Sequence, residues 1–286
     1  MNNSRINIAS KDASGCLYIV ATPIGNMLDI SQRAIEVLQS VAYIICEDSR
    51  VTQKLLSHCG INKPMMVCND YTESKQVERV INLLSIGHDL ALVSDAGTPL
   101  ISDPGYLLVR AAHKVGMRVS TIPGPCSVVA ALSISGLPTN RFTFIGFLES
   151  KREARRRALE EIVNMSSTIV CFEATRRLLA SLADILDVLG NRSICMAREL
   201  TKTYEEIWQG NVEGLIAHCQ QHASLKGEAV LVIGGSEATT VSDEEIQVAL
   251  SNAMMDLSLS DAVEQVSTML GAQRRRVYQL SLKLKK

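Results

Sequence analysis

The sequence predicts an α/β protein of two domains followed by a small C-terminal helical appendage, and three observations predict it. The chain has 286 residues, 47% of them apolar and 21% charged, enough for two domains at ~100–200 residues each. As far as Gly235, short β-branched runs alternate with amphipathic helical stretches, the pattern of a parallel sheet with helical crossovers. After Gly235 apolar residues recur only at three-to-four spacing, which is helical.

Residues 1–15, MNNSRINIASKDASG, have no hydrophobic signal core and read as a disordered tail. The first domain, residues 16–124, has strands at LYIVAT (17–22), AYIICE (42–47), LALVS (90–94) and RVSTI (118–122). Asp29 stands where it would cap a helix over 31–40, and Gly60, Gly87 and Gly116 stand where helices would stop. The segment PGPCS leads into a second domain, residues 125–238. Its strand candidates are FTFIGF, TIVCFEA, SICMARE, a pair of short strands around YEEIWQG, and EAVLVIGG. The appendage, residues 239–286, reads as helices in EEIQVALSNAM, SDAVEQVSTML and QRRRVYQLSLKL. There is no internal repeat.

Several function classes are disfavoured at this level. The longest apolar stretches, such as residues 90–93, fall far short of the ~18 residues a membrane helix needs. Eight cysteines occur without one Cys-x-x-Cys pair, several inside apolar runs, and read as buried free thiols of a reducing, cytoplasmic compartment. His218 and His222 flank Cys219 on one helix face, but no HExxH accompanies them, so a solvated helix end is expected and no metal. A net charge of −1 leaves only local basic surface for nucleic acid. Two clusters offer it: Lys151, Arg152, Arg155, Arg156 and Arg157, then Arg274, Arg275 and Arg276 with Lys283, Lys285 and Lys286. Each is either a solvated helix face or a phosphate-binding patch.

Four loops follow strands, where open α/β sheets bind ligands. ATPIGN (21–26) suits a tight turn but lacks both GxGxxG and GxxxxGK. EDSR (47–50) sets two carboxylates and a guanidinium at the end of an apolar strand, which is costly unless they are paired or used. SDAGTPLISDPG (94–105), with two glycines, two prolines and two aspartates, is longer than a plain connection needs. IPGPCS (122–127) stiffens the crossing between the halves, so a ligand wedged between the domains would touch all four loops.

These four loops, with GLPTNRF followed by GF, ARELTK and the late KGE, resemble in order and spacing the ribosomal small-subunit methyltransferases of the tetrapyrrole methylase superfamily. The resemblance runs from about Leu17 to the last helices. It implies a two-domain tetrapyrrole-methylase-like fold, S-adenosylmethionine in the interdomain cleft, a homodimer, and methylation of a cytidine 2'-hydroxyl of 16S ribosomal RNA at the decoding centre. The substrate would be the free RNA or the 30S subunit. Position by position, it implies cofactor contacts from Ile24, Gly25, Gly97, Thr98, Ile101, Cys126 and Ser127. On the second domain's side it implies Phe172 and Ala197. The chain departs from the family pattern at Asn69, Asp70, Tyr71, Thr72 and Glu73, where His-Glu-His-Asn-Glu is usual. It departs again at Glu173 to Arg177, and at Gly234, where Glu-Gly is usual.

Transfer from a sulfonium is an in-line displacement, so positioning dominates, and a carboxylate taking the hydroxyl proton helps. Asp48, Asp95 and Glu199, each at the end of an apolar strand, are the expected catalytic groups. Arg50, Arg198 and Lys202 are expected RNA contacts or else interdomain ion pairs, and Lys151, Arg152, Arg155 and Arg156 are expected RNA contacts or else a solvated helix face. Two other readings remain open: a tetrapyrrole-precursor methylase, and a non-catalytic ribosome-assembly factor.

Overall fold

The structure, a computed structural model, describes residues 14–69, 72–222, 226–236, 242–270, 272 and 274–284. Most of the expected N-terminal tail, Asp70 and Tyr71 of the departing stretch, and Lys285 and Lys286 of the basic terminus lie outside the described residues. The chain divides into two compact units, Met1–Gly234 and Gly235–Lys286.

The first unit contains two five-stranded sheets. The first uses β1 (Cys16–Val20), β2 (Tyr43–Cys46), β3 (Met65–Val67), β4 (Leu90–Val93) and β5 (Arg118–Ile122) in the order β3-β2-β4-β1-β5, every pair parallel. Parallel pairing needs crossovers. They are supplied by α1 (Gln32–Ser40), α2 (Ser49–His58), α3 (Glu73–Ser85) and α4 (Tyr106–Lys114). Helices cover both faces, so β4 is apolar and buried at every position, Leu90, Ala91, Leu92 and Val93. The three-residue β3 was not foreseen, because MMV is too short to show a period.

Local signals set the helix starts. Ser31 Oγ, not Asp29, caps α1 by accepting from Ala34 N at 3.1 Å, while Asp29 closes a preceding 3-10 turn. Asp48 caps α2 by accepting from Arg50 N at 2.8 Å. The start of α4 has no capping side chain of its own. Instead the buried Glu73, from α3, accepts from Leu107 N at 2.7 Å and Leu108 N at 3.2 Å. A carboxylate there satisfies orphan donors and faces the positive end of the helix.

The second sheet uses β6 (Phe142–Phe147), β7 (Thr168–Ala174), β8 (Ser193–Arg198), β9 (Glu206–Asn211) and β10 (Glu228–Ile233) in the order β6-β7-β10-β8-β9. Only β6 and β7 are parallel; β10 runs antiparallel to both its neighbours, and β9 to β8. The YEEIWQG segment is thus one strand, where two were expected. One face packs under α6 (Arg152–Glu161), α7 (Leu178–Leu189) and α8 (Val212–Gln221), and the other under α5 (Ser127–Ile134). In the second unit, α9 (Asp243–Ala253), α10 (Leu259–Leu270) and α11 (Arg274–Leu284) share a core of Ile246, Leu250, Val263, Val266, Val277 and Leu280. No helix among the described residues is long and apolar enough to cross a membrane.

The first basic cluster is largely absorbed by this packing. Arg155, 4% exposed, is held by Asp184, 3% exposed on its side chain, through Nε at 2.9 Å, and Nη1 donates to Glu149 O at 3.1 Å. Arg152 and Arg156 also reach Asp184, and Arg156 meets Asp187 as well. Arg155 is therefore not an RNA contact, because its guanidinium is sealed between α6 and α7. Removing one partner of a buried pair strands the other charge. Asp184→Ala should lower unfolding free energy in urea by about 3–5 kcal/mol, whereas Arg157→Ala, at an exposed position, should leave the midpoint almost unchanged.

Candidate functional site

Loop geometry builds the site. The first and third loops are stitched together by a two-residue bridge, Thr22 N to Gly97 O at 2.8 Å and Gly97 N to Thr22 O at 3.1 Å. Gly97 holds φ at +84°, and a Cβ there would lie 3.3 Å from Ile24 Cγ2, so the tie demands glycine. Thr98 Oγ1 then donates to Pro125 O at 3.1 Å, binding the third loop to the fourth. Gly25 has a different task. A Cβ there would come within 2.6 Å of Leu200 O, so its bareness lets ATPIGN close against ARELTK, where Asn26 N also donates to Thr201 Oγ1 at 3.0 Å.

Between these loops lies a cavity of about 380 Å³. Ile24, Gly97, Thr98, Ile101, Cys126 and Ser127 line it from the loops, and Phe172 and Ala197 line it from the second sheet. Of the nine expected cofactor contacts only Gly25 stands behind the wall rather than in it. The second sheet reaches the cavity because of its mixed direction. With β10 antiparallel, Glu228 pairs with Ala174 and Ala229 with Arg198, so the start of β10 sits beside the ends of β7 and β8. Phe147 and Phe172, rings 5.2 Å apart and edge to face, form an apolar wall.

The four non-glycine residues with left-handed backbone among the described residues are Leu100, Ser102, Glu199 and Thr201. All fall in the two loops facing one another across this cavity. Such conformations cost of order 1–3 kcal/mol each and persist where surroundings over-determine them, typically at sites.

The cavity is acidic: Glu47, Asp95, Asp103, Glu199 and Glu228 line it, with Lys202 as the one basic side chain among the described residues. Two of the three expected catalytic carboxylates are here, Asp95 and Glu199. A hydrogen bond from Lys202 Nζ, 2.8 Å away, holds the Glu199 carboxyl below its ordinary range. Burial raises Asp95, partly offset by the 3.1 Å hydrogen bond its Oδ1 accepts from Asp48 N. Asp103 is pushed up to about 6 by burial, with the neighbouring Glu47, Asp95 and Glu228 adding to the rise and Ser94 opposing it. Asp103, Glu47 and Glu228 were not singled out from sequence, although SDPG, EDSR and KGE each contain one of them.

Asp48 is elsewhere. It caps α2 and pairs with Arg50, whose side-chain and backbone hydrogen bonds hold its carboxyl down to about 2. A group that weakly basic is a poor proton acceptor, which weighs against Asp48 among the three expected catalytic carboxylates. Asp48 and Arg50 line an adjacent groove of about 490 Å³ with Glu47, Ser49, Val67, Asn69 and Asp95. A third space of about 220 Å³ lies behind the first loop. Asp95 borders all three.

Two further expected RNA contacts, Arg198 and Lys202, are partnered, Lys202 by Glu199 as above. Arg198 donates to Glu206 at 2.8 Å and to Lys226 O at 3.0 Å, away from the cavity. Glu206 also meets His218 Nε2 at 2.7 Å, while His222 Nδ1 lies 2.9 Å from His218 O. Lys151, exposed before α6, lies outside the cavity lining. The departure at residues 69–73 is structural in part: Asn69 and Thr72 hydrogen-bond reciprocally and Glu73 caps α4. Glu173 is fully buried, held by Arg177 and Ser181. Gly234 is at the end of β10 remote from the cavity.

Residues 16–216 match the family model described as Tetrapyrrole (Corrin/Porphyrin) Methylases, and residues 240–285 match that described as RsmI C-terminal HTH domain. The chain is 42% identical over 280 residues to the ribosomal RNA small subunit methyltransferase I of Escherichia coli O157:H7, spanning 96% of this chain and 97% of the relative. It is 42% identical to the protein of that name from Synechocystis sp. over 94% of this chain and 98% of the relative. Among solved structures, the methyltransferase CobJ superposes with a TM-score of 0.59 at 15% identity, covering 78% of this chain and 95% of that one. The uroporphyrin-III-C-methyltransferase from Thermus thermophilus gives 0.55 at 19%, covering 77% and 94%. These two likenesses carry the fold alone.

The raised Asp103 predicts a stability effect of definite sign. From its unfolded value near ~3.9 up to about 6 the folded state holds more protons, so folding weakens as pH rises through that window. Asp103→Asn removes the weakening. In thermal unfolding without ligand the variant should melt higher than the unsubstituted protein at pH 8, by roughly 2–4 °C, and the gap should close toward pH 4.

Proposed function

The chain belongs to the ribosomal RNA small subunit methyltransferase I family of the tetrapyrrole methylases, and from that premise we propose that it methylates the 2'-hydroxyl of a cytidine in 16S ribosomal RNA at the decoding centre, using S-adenosylmethionine. The protein acts in the cytoplasm as a homodimer, on free RNA or the 30S subunit. The observation that carries this reading is the place of Asp95, a raised carboxylate bordering both the cavity and the adjacent groove.

The cavity fits the cofactor on its own chemistry. A ligand with a sulfonium and an ammonium against one carboxylate is net cationic, and carboxylates outnumber the single Lys202 on the walls. Phe147 and Phe172 offer an apolar face to a purine, and Asp103 and Glu228 offer acceptors to ribose hydroxyls or the ammonium. When bound, the cofactor supplies an electrophilic methyl group. The acidity also weighs against a tetrapyrrole precursor, whose own carboxylates would be repelled.

Asp95 holds the acceptor hydroxyl toward the cavity and takes its proton as the oxygen is alkylated; burial makes it a better base than an exposed carboxylate. Asp103 does not border the groove and belongs with cofactor binding. Phosphates remain outside, where Arg50, 87% exposed on its side chain, and Lys151 are available.

The test is transfer of radiolabelled methyl from S-adenosylmethionine to 30S subunits of a strain lacking the gene, followed by mapping of the nucleotide. Label on a decoding-centre cytidine ribose is expected; label only on a tetrapyrrole would overturn the reading. Asp95→Asn should lower kcat by about 10²–10⁴-fold with cofactor affinity retained, and Asp48→Asn should lower it much less. Because the cationic ligand favours ionised Asp103, cofactor affinity should strengthen as pH rises through about 6, and this dependence should flatten in Asp103→Asn.

A further inference from the structure

The groove beside the cavity has one wall unlike the rest. Val67, at the end of β3, is 39% exposed there, an apolar surface beside polar neighbours. Next to it, Asn69 has its amide fixed: Oδ1 accepts from Thr72 N at 3.2 Å and from Thr72 Oγ1 at 3.0 Å. A backbone N–H can only donate, so the atom facing it must be the oxygen, which settles the orientation of the amide. The Nδ2 group makes no hydrogen bond among the described residues, and so keeps both its donors for a ligand in the groove.

We infer that this groove is the acceptor-nucleoside site, with the base against Val67, Asn69 Nδ2 donating to the base edge, and the ribose directed to Asp95. This rests on the ribosomal RNA reading above. Asp95 and Glu47 border both the groove and the cofactor cavity, so a sugar seated at that boundary meets the base and the methyl donor together. Cytosine presents N3 and O2 as acceptors, and an amide donor complements them. Uracil keeps O2 but carries a proton on N3, which opposes the same donor. Asn69 is thereby a specificity-determining residue, and Val67 an apolar contact for the ring.

The full-length protein is assayed for methyl transfer to 30S subunits carrying the natural cytidine and to subunits with uridine at that position. Asn69→Asp keeps an acceptor oxygen for Thr72, so the turn before α3 is retained, but replaces the donor by an acceptor. It should reduce the cytidine-over-uridine ratio of kcat/KM by about 10- to 100-fold, with S-adenosylmethionine affinity by calorimetry unchanged. Val67→Glu, at an exposed position, should raise KM for both substrates. An Asn69→Asp ratio equal to that of the unsubstituted protein overturns the inference, including the case in which both substrates weaken equally, which is charge repulsion alone. If the unsubstituted protein labels 30S and Asn69→Asp leaves the ratio intact, only the groove assignment falls. If the unsubstituted protein labels no RNA, the functional reading falls and the inference with it.

Discussion

The architecture of the site hangs on the pair of backbone hydrogen bonds between Thr22 and Gly97. They join the ends of β1 and β4, two central strands of a parallel sheet, and so commit two connections to one place. Once that bridge is made, Thr98 can reach Pro125 and Ile24 can enter the apolar cluster of Val128, Leu132, Leu200 and Phe172. The cleft between the sheets is then fixed by backbone contacts and a half-buried isoleucine rather than by surface ion pairs, which contribute little. The left-handed turns at Leu100, Ser102, Glu199 and Thr201 are tolerated because both ends of their loops are anchored.

Electrostatics separates carboxylates that the sequence presents as equivalents. Asp48 and Asp95 both end apolar strands, but Asp48 has a helix start and an arginine to satisfy it, whereas Asp95 faces cavities and other acids. The first is therefore held ionised as a cap, and the second is raised by burial. Glu199 follows Asp48, neutralised by Lys202 three residues on. Asp103, partly shielded from solvent beside three further carboxylates, is pushed up to about 6. That arrangement weakens the fold as Asp103 ionises.

Much of this was legible in the sequence, for reasons tied to particular residues. Four of the five strands of the first sheet announce themselves as apolar or β-branched runs, such as LALV in β4, which is covered on both faces. The third loop stands out by length and turn formers, and it supplies Asp95, Gly97, Thr98 and Ile101 to the cavity. Partners distant in sequence were not legible. Arg155 looks like part of a basic patch until Asp184, on the next helix, is seen to hold it. Asp48 and Asp95 cannot be told apart without knowing which one Arg50 meets.

The second sheet makes the same point about direction. Alternating strands and helices suggest parallel pairing, under which the end of β10, at Gly234, would border the ligand. With β10 inserted antiparallel between β7 and β8, its beginning borders the cavity instead, so Glu228, Ala229 and Val230 line it and Gly234 does not. A departure from the family pattern at Gly234 therefore bears on packing against Ser193, whose carbonyl accepts from Gly234 N at 2.8 Å, whereas the change at Asn69 bears on the groove. Two substitutions equally visible in the sequence differ in consequence because strand direction decides which end of a strand the chemistry sees.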